Sequence, residues 1–153
     1  GLLFGMVSFV IIFVGYFTLK KFINFNDIVQ ELTIKSKITP MNFIFIGLYI
    51  TFGNSFLEEL FFRGFIFLSL FNQGNRKFAY IYSSILFGVY HIAIFKTWFS
   101  PSLIAVALLG LVIVGFVFNW LDTKTNNFVN SWLVHILADS AIIIIGMKMF
   151  NII

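Results

Sequence analysis

Six ionisable residues lie within strongly apolar stretches of the sequence, where charged side chains are rare. They are Glu58, Glu59, Arg63, His91, His135 and Asp139. An Asp or Arg at the centre of a membrane-spanning helix costs about 2.5–3.5 kcal/mol on insertion scales, so such residues usually pair with one another or serve a function. A glutamate beside a histidine can activate water as a general base. The set therefore predicts a functional site that faces the interior of a helical bundle.

The spacing of these residues predicts that several of them share a helix face. Positions four apart lie on the same face of an α-helix, and this spacing separates Glu59 from Arg63 and His135 from Asp139. Glu59 and Arg63 can therefore form an ion pair that neutralises both charges. Glu58 is rotated by about 100° from Glu59 and can face a different neighbour. The alternative interpretation of both spaced pairs is structural, as an ion pair within a helix or a polar clamp between helices.

Two histidines and a glutamate, His91, His135 and Glu58, match the ligand types of a catalytic zinc site. Such a site has three protein ligands and keeps a fourth position for water. The sequence contains no cysteine, so histidine and carboxylate groups are the plausible zinc ligands. Asp139 could orient His135 through its second ring nitrogen, as the partners of metal-binding histidines usually do. A metal-independent site in which Glu58 and His91 activate water is the alternative.

The amino-acid composition indicates the environment of the helices that carry these residues. Hydrophobic residues make up 60% of the 153 residues and charged residues 10%, and the mean hydropathy is +1.01. A soluble domain carries about 25% charged residues, so this composition indicates a chain embedded in lipid. The net charge is only +4, and its basic residues flank the apolar stretches, as they do at membrane surfaces. Nothing in this pattern indicates nucleic-acid binding.

Five apolar stretches are long enough to cross a membrane as helices, since a span needs about 20 apolar residues. The predicted spans are residues 2–19, 41–71, 78–95, 101–121 and 128–150. The second exceeds the membrane thickness and should tilt, break or emerge at one face. Residues 22–38 form either a helix on the membrane surface or an ordinary loop. The prediction is an all-α polytopic transmembrane helical bundle, a single membrane domain over residues 1–153.

Two further expectations concern the ends of these stretches. Asp122 begins the polar turn 122–127 and is interpreted as a loop residue that needs no explanation. The sequence begins at Gly1 inside an apolar run, without an initiator methionine, which indicates a fragment that lacks N-terminal residues.

Three segments resemble the motifs of one family of membrane proteases. Residues 55–65, SFLEELFFRGF, resemble the EExxxR motif of the CAAX-protease and bacteriocin-processing family (CPBP, also called Abi). Residues 87–91, FGVYH, resemble its FxxxH motif. Residues 131–139, SWLVHILAD, resemble its third motif, a histidine followed four residues later by asparagine or aspartate. By this resemblance Glu59 and Arg63 would hold the first motif in place, with Glu59 also near the catalytic water.

The resemblance runs from about residue 41 to residue 145 and implies roles for the other motif residues. Glu58 would be the catalytic base that activates water, assisted by His91. His135 and Asp139 would stabilise the oxyanion of the tetrahedral intermediate or bind a metal. The family is often labelled as metalloprotease, so zinc is expected as a cofactor, whereas its CAAX-processing members resemble metal-independent glutamate proteases. An aspartate at 139 favours orienting His135 or ligating metal, because an ionised carboxylate cannot donate to an oxyanion.

The function implied is an intramembrane endopeptidase of the bacterial plasma membrane. Its partners would be a peptide or membrane-protein substrate and membrane lipid, with a role in bacteriocin processing or self-immunity. One alternative is a bacteriocin-immunity membrane protein that acts by binding and hydrolyses nothing. Another is a small proton-coupled transporter, because intramembrane carboxylates and histidines also build ion pathways. Five spans without an internal repeat argue against most transporter folds.

Overall fold

The computed structural model describes all residues from Gly1 to Ile153 and consists of six helices without strands. The helices are α1 Leu2–Leu19, α2 Phe25–Ser36, α3 Phe43–Asn72, α4 Arg76–Phe95, α5 Pro101–Thr123 and α6 Val129–Met149. All except α2 are long and apolar enough to cross a membrane. Large apolar side chains such as Phe45 and Phe65 are exposed on them, as expected of helices that face lipid. The predicted all-α bundle with five spans is confirmed.

Helix α2 occupies the segment for which a surface helix and a loop were both considered. Its N-cap is Asn24, whose side chain accepts a hydrogen bond from the backbone N–H of Asp27. An ion pair of 2.7 Å joins Glu31 to Lys35 one turn later. The helix ends at Lys37, which adopts a left-handed conformation with φ of 56°. These local interactions explain why a helix forms here, and its position on the membrane surface stays a prediction.

Helix α3 is a continuous helical run of 30 residues that contains two π-helical segments. Tyr49–Asn54 and Leu60–Leu68 are π-helical, and the short α-helical segment Ser55–Glu59 lies between them. A π-helix bonds residue i to residue i+5 and therefore shifts the angular position of every residue beyond it. Such segments are frequent at functional sites, and here they flank Glu58 and Glu59. The long second stretch thus does not break, and α3 runs through to Asn72.

The chain divides into two compact units, and the division falls within α3 and within α6. The first unit comprises Gly1 and Phe56–Leu133. In it α4 and α5 pack closely, since a Cβ atom on Gly115 would lie 2.9 Å from Ser84 Cα. Small residues allow helix backbones in membranes to approach, and polar side chains then bond across the contact. Asn119 Nδ2 accordingly donates to Ser84 Oγ at 3.1 Å.

The second unit comprises Leu2–Ser55 and Val134–Ile153. Its packing also depends on glycines that accept large neighbours. A Cβ atom on Gly146 would lie 2.5 Å from the ring of Phe43, and one on Gly5 would collide with the side chain of Leu137. The Phe43 ring also packs against Phe150, with ring centroids 5.0 Å apart. These contacts hold α1, α3 and α6 together within this unit.

Candidate active site

Glu58 on α3 and His91 on α4 form a pair in the first unit. Glu58 Oε2 lies 3.4 Å from His91 Nε2, and the two side chains are 7% and 15% exposed. His91 Nδ1 lies 2.9 Å from the carbonyl oxygen of Phe87, one turn earlier on the same helix. A carbonyl oxygen can only accept, so Nδ1 carries a proton and donates it. Nε2 is therefore the nitrogen presented to Glu58, which is the arrangement that a proton-sharing or metal-binding histidine needs.

The contacts of Phe87 explain why an aromatic residue lies four positions before His91 in the sequence. Its ring lies against the His91 ring with centroids 4.3 Å apart. Its other neighbours include Arg63, whose guanidinium carbon lies 3.9 Å from the Phe87 ring centroid. Phe87 thus packs against the face of His91. The same ring therefore separates the imidazole from the buried guanidinium and restricts the orientation of both.

Glu59 and Arg63 form the expected ion pair, one turn apart on α3. Arg63 Nε lies 3.2 Å from Glu59 Oε2, and both side chains are fully buried. The guanidinium also lies 4.9 Å from the Phe118 ring centroid, in addition to its contact with Phe87. Cation–π contacts of this kind become stronger when they are shielded from water. The pair therefore locks the helix segment that carries Glu58.

Asp122 belongs to this buried charge cluster, and its interpretation as a loop residue is wrong. It lies in the last turn of α5 and is fully buried. Its Oδ1 accepts the backbone N–H of Ser131 at 3.1 Å, near the start of α6. The first N–H groups of a helix have no partner within it, so this carboxylate caps α6 from a neighbouring helix. Asp122 also interacts electrostatically with Arg63 and Glu59.

Asp122 has sequence neighbours that give no signal of its burial. It directly follows an apolar run and precedes a segment rich in Thr and Asn, residues 123–127. That pattern is typical of a loop, and it hid the extension of α5 to Thr123. Only the packing of α5 beside α6 shows that the carboxylate points inward.

His135 and Asp139 form a pair on α6, in the second unit. His135 Nε2 lies 3.7 Å from Asp139 Oδ1, and the side chains are 10% and 13% exposed. This distance is within ion-pair range and longer than a direct hydrogen bond. The i, i+4 spacing places both on one face of the helix, as the sequence predicts. The carboxylate is near enough to orient the ring.

The six predicted residues thus occur as three pairs: Glu58 with His91, Glu59 with Arg63, and His135 with Asp139. Each is buried or nearly so, which agrees with the expectation that ionisable groups in membrane spans face inward.

Glu58 and His91 in the first unit and His135 in the second each carry one atom that can ligate a metal ion. Glu58 and His135 are buried and His91 is partly buried. Catalytic zinc sites use three protein ligands of the imidazole and carboxylate types. The donor set therefore fits zinc in type and number, and Asp139 beside His135 fits the carboxylate that usually supports a zinc-bound histidine.

Comparison with known proteins agrees with the three motifs. A family model described as type II CAAX prenyl endopeptidase Rce1-like matches residues 40–141, a range that contains all three. The UPF0177 protein YxdF of Lactococcus lactis subsp. lactis (strain IL1403) is 37% identical over 78 residues, which are 51% of this chain and 37% of that protein. The chain thus matches less than half of the length of this curated relative. No solved structure matches the chain significantly. Since the family model covers more than half of the chain, this integral membrane protein belongs to the Rce1-like family of type II CAAX prenyl endopeptidases, and the predicted likeness to CAAX proteases is confirmed.

Proposed function

We propose that the protein is an intramembrane endopeptidase that hydrolyses a peptide bond with water activated by Glu58 and His91. Membership in a family of CAAX-type proteases supports the reaction class. The observation that carries the proposal is the Glu58–His91 pair, 3.4 Å apart, with His91 Nδ1 held by a backbone carbonyl. A carboxylate and an imidazole of fixed orientation are the groups that deprotonate water and later protonate a leaving amine.

The proposed reaction begins at the Glu58 carboxylate. Glu58 takes a proton from water while the water oxygen bonds to the carbonyl carbon of the peptide, whose oxygen becomes an oxyanion. His91 keeps the carboxylate in position and shares the abstracted proton. That proton then passes to the amide nitrogen as the C–N bond breaks, which yields a carboxylic acid and an amine. Water supplies the oxygen and both hydrogen atoms that the two products gain, so the reaction needs no further reactant.

His135 and Asp139 would stabilise the oxyanion that forms from the peptide carbonyl group. In a metal-independent enzyme, a ring N–H of His135, oriented by Asp139, would donate to the developing negative charge. In a zinc enzyme, His135 would be a ligand together with His91 and Glu58. A bound zinc ion would supply Lewis-acid polarisation of the scissile carbonyl group and the water.

Glu59 and Arg63 would act as positioning residues. Their ion pair is fully buried, and the guanidinium packs on Phe87, which also contacts His91. The pair thus connects the helix segment of Glu58 with the ring that supports His91. Loss of either charge would disturb the base and the histidine together.

The proposed substrate is a membrane-associated or exported peptide, in bacteriocin processing or self-immunity at a bacterial plasma membrane. The relative from Lactococcus lactis supports the bacterial setting. The burial of the paired groups within membrane spans supports a substrate that reaches them from the membrane.

The test compares the membrane and secreted peptidomes of cells that express the wild-type protein, Glu58→Gln or Glu31→Gln. The Glu58→Gln substitution keeps the size of the side chain while removing the base. Glu31→Gln makes the same chemical change on α2, where Glu31 pairs with Lys35 instead of a motif residue. We expect new peptide termini with wild type and Glu31→Gln, and none with Glu58→Gln at matched expression and melting temperature. Identical peptidomes for all three would contradict proteolysis and favour an immunity protein that acts by binding.

A second test decides between the zinc and the metal-independent forms. Metal content of the purified protein is measured by mass spectrometry for wild type and His135→Ala, and peptide cleavage is measured after exhaustive chelation. One zinc per chain that is lost in His135→Ala, with cleavage abolished by chelation, supports zinc. Unchanged cleavage after chelation, with no metal in the wild-type protein, refutes it.

A further inference from the structure

A groove of about 500 Å³ lies in the first unit, and none of the six paired residues lines it. Its lining residues come from the end of α3, the start of α4 and the middle of α5: Phe71, Arg76, Lys77, Tyr80, Ile81 and Phe116. Four of these six are aromatic or aliphatic, and two are cations. The two cations stand next to each other at the beginning of α4, so the groove has one basic end and an apolar wall.

The apolar wall is a set of stacked rings. Tyr80 and Phe116 are parallel, with an interplanar angle of 14° and centroids 6.1 Å apart. Phe71 meets Tyr80 edge to face at 6.2 Å. Ile81, which is 51% exposed, completes the wall on α4. A surface of this kind accepts a hydrocarbon chain and offers nothing to a small hydrophilic anion.

The basic end lies at the start of a membrane span. Arg76 and Lys77 are the first residues of α4, and the Arg76 guanidinium lies 5.2 Å from the Phe71 ring centroid. The N-cap residue Asn75 makes no side-chain capping hydrogen bond. The first N–H groups of α4 and two cations therefore favour an anion at this point.

We propose that this groove binds an anionic phospholipid. The phosphate would lie at Arg76, Lys77 and the first turn of α4, and one acyl chain would lie along Tyr80, Ile81 and Phe116. Basic side chains at the end of a span lie at the depth of the headgroups, where each attracts anionic lipid. The charge at one end and the apolar wall beyond it together match the two ends of such a lipid. The site is independent of peptide hydrolysis.

The test counts lipids bound to the purified full chain by native mass spectrometry, with phosphatidylglycerol and phosphatidylcholine supplied in equal amounts. Wild type should retain phosphatidylglycerol in preference to phosphatidylcholine. The double variant Arg76→Gln/Lys77→Gln should lower the retention of phosphatidylglycerol by roughly 10- to 30-fold, at about 1 kcal/mol for each basic side chain that faces the phosphate in the groove. The control Lys20→Gln/Lys21→Gln removes an adjacent basic pair at the end of α1 and should leave the retention unchanged.

A third variant tests whether the apolar wall of the groove contributes to lipid retention in addition to charge. Ile81→Trp would fill the apolar wall while keeping both cations, and because Ile81 is half exposed the fold should tolerate the change. This variant should also reduce the retention of phosphatidylglycerol several-fold.

Equal losses in both double variants would overturn the proposal in favour of nonspecific charge attraction. Unchanged retention in Arg76→Gln/Lys77→Gln would also overturn it. Competition by glycerol phosphate as effective as that of the lipid would overturn it in favour of a phosphate site. A dimer that dissociates in Ile81→Trp would overturn it in favour of a second copy of the chain.

Discussion

Arg63→Met is expected to destabilise the protein by about 3–5 kcal/mol, because removing one partner of a buried ion pair leaves the other charge uncompensated. Methionine is apolar and has three fewer side-chain heavy atoms than arginine, so the change removes the charge and also leaves a small void. Arg63→Lys is the matched control. It keeps the charge but loses the planar group that packs on rings, and its cost should be intermediate.

The magnitude follows from the surroundings of the guanidinium. Arg63 Nε and Glu59 Oε2 are 3.2 Å apart, and both side chains are 0% exposed. Arg63 also interacts electrostatically with Asp122 and Glu58. Its contact with Phe87, at 3.9 Å, adds about 0.5–2 kcal/mol. Loss of the one cation would leave three carboxylates near one another without a compensating charge, which places the expected cost at the upper end of the range.

The assay is the free energy of unfolding in mixed micelles of mild detergent and SDS, followed by tryptophan fluorescence. The variants are Arg63→Met, Glu59→Gln, and both changes together. The double variant should lose less stability than the sum of the losses in the two single variants. The reason is that Glu59→Gln removes the negative charge that Arg63→Met leaves without a partner. Wild-type stability in Arg63→Met would refute the reasoning. So would a double variant that loses the full sum of the two single losses.

Two further predictions concern the contacts of α5. Asp122→Ala should lower the free energy of unfolding by about 1–3 kcal/mol, because it leaves the buried N–H of Ser131 without its acceptor. Asp122→Asn keeps an acceptor oxygen and should cost less. Equal unfolding free energies for wild type and Asp122→Ala would contradict the capping role. Gly115→Leu should cost about 1–3 kcal/mol by overpacking, because even a Cβ atom there would lie 2.9 Å from Ser84 Cα. Gly110→Leu is the control, with nothing within 4 Å of an added Cβ, and a loss of stability as large as that of Gly115→Leu would contradict the close packing.

The i, i+4 pairs were predictable because the distance between positions four apart is set by the helix itself. Glu59 with Arg63 and His135 with Asp139 needed only the correct assignment of α3 and α6 as helices. The motif order then indicated the family. The pairing of Glu58 with His91 was expected from the family resemblance, but its distance depends on how α3 and α4 pack.

Asp122 shows where local reasoning fails. A carboxylate at the end of an apolar run, followed by polar residues, has the pattern of a loop residue in any membrane protein. Its burial depends on α5 extending to Thr123 and on α6 starting close beside it, so that Oδ1 reaches the Ser131 N–H. The π-helical segments of α3 likewise have no signal in hydrophobicity, because the widened turns depend on how α3 packs against its neighbours.

The sequence by itself determined that the protein is an all-α membrane bundle with five spans. Runs of about 20 apolar residues in lipid must satisfy their backbone hydrogen bonds internally, and a helix does so without any partner. It also determined which residue types carry chemistry. Only the tertiary structure decided which of these residues meet across helices, because such contacts depend on the rotation and packing of whole helices. Glu58 meets His91, Arg63 rests on Phe87, and Asp122 caps α6 for that reason.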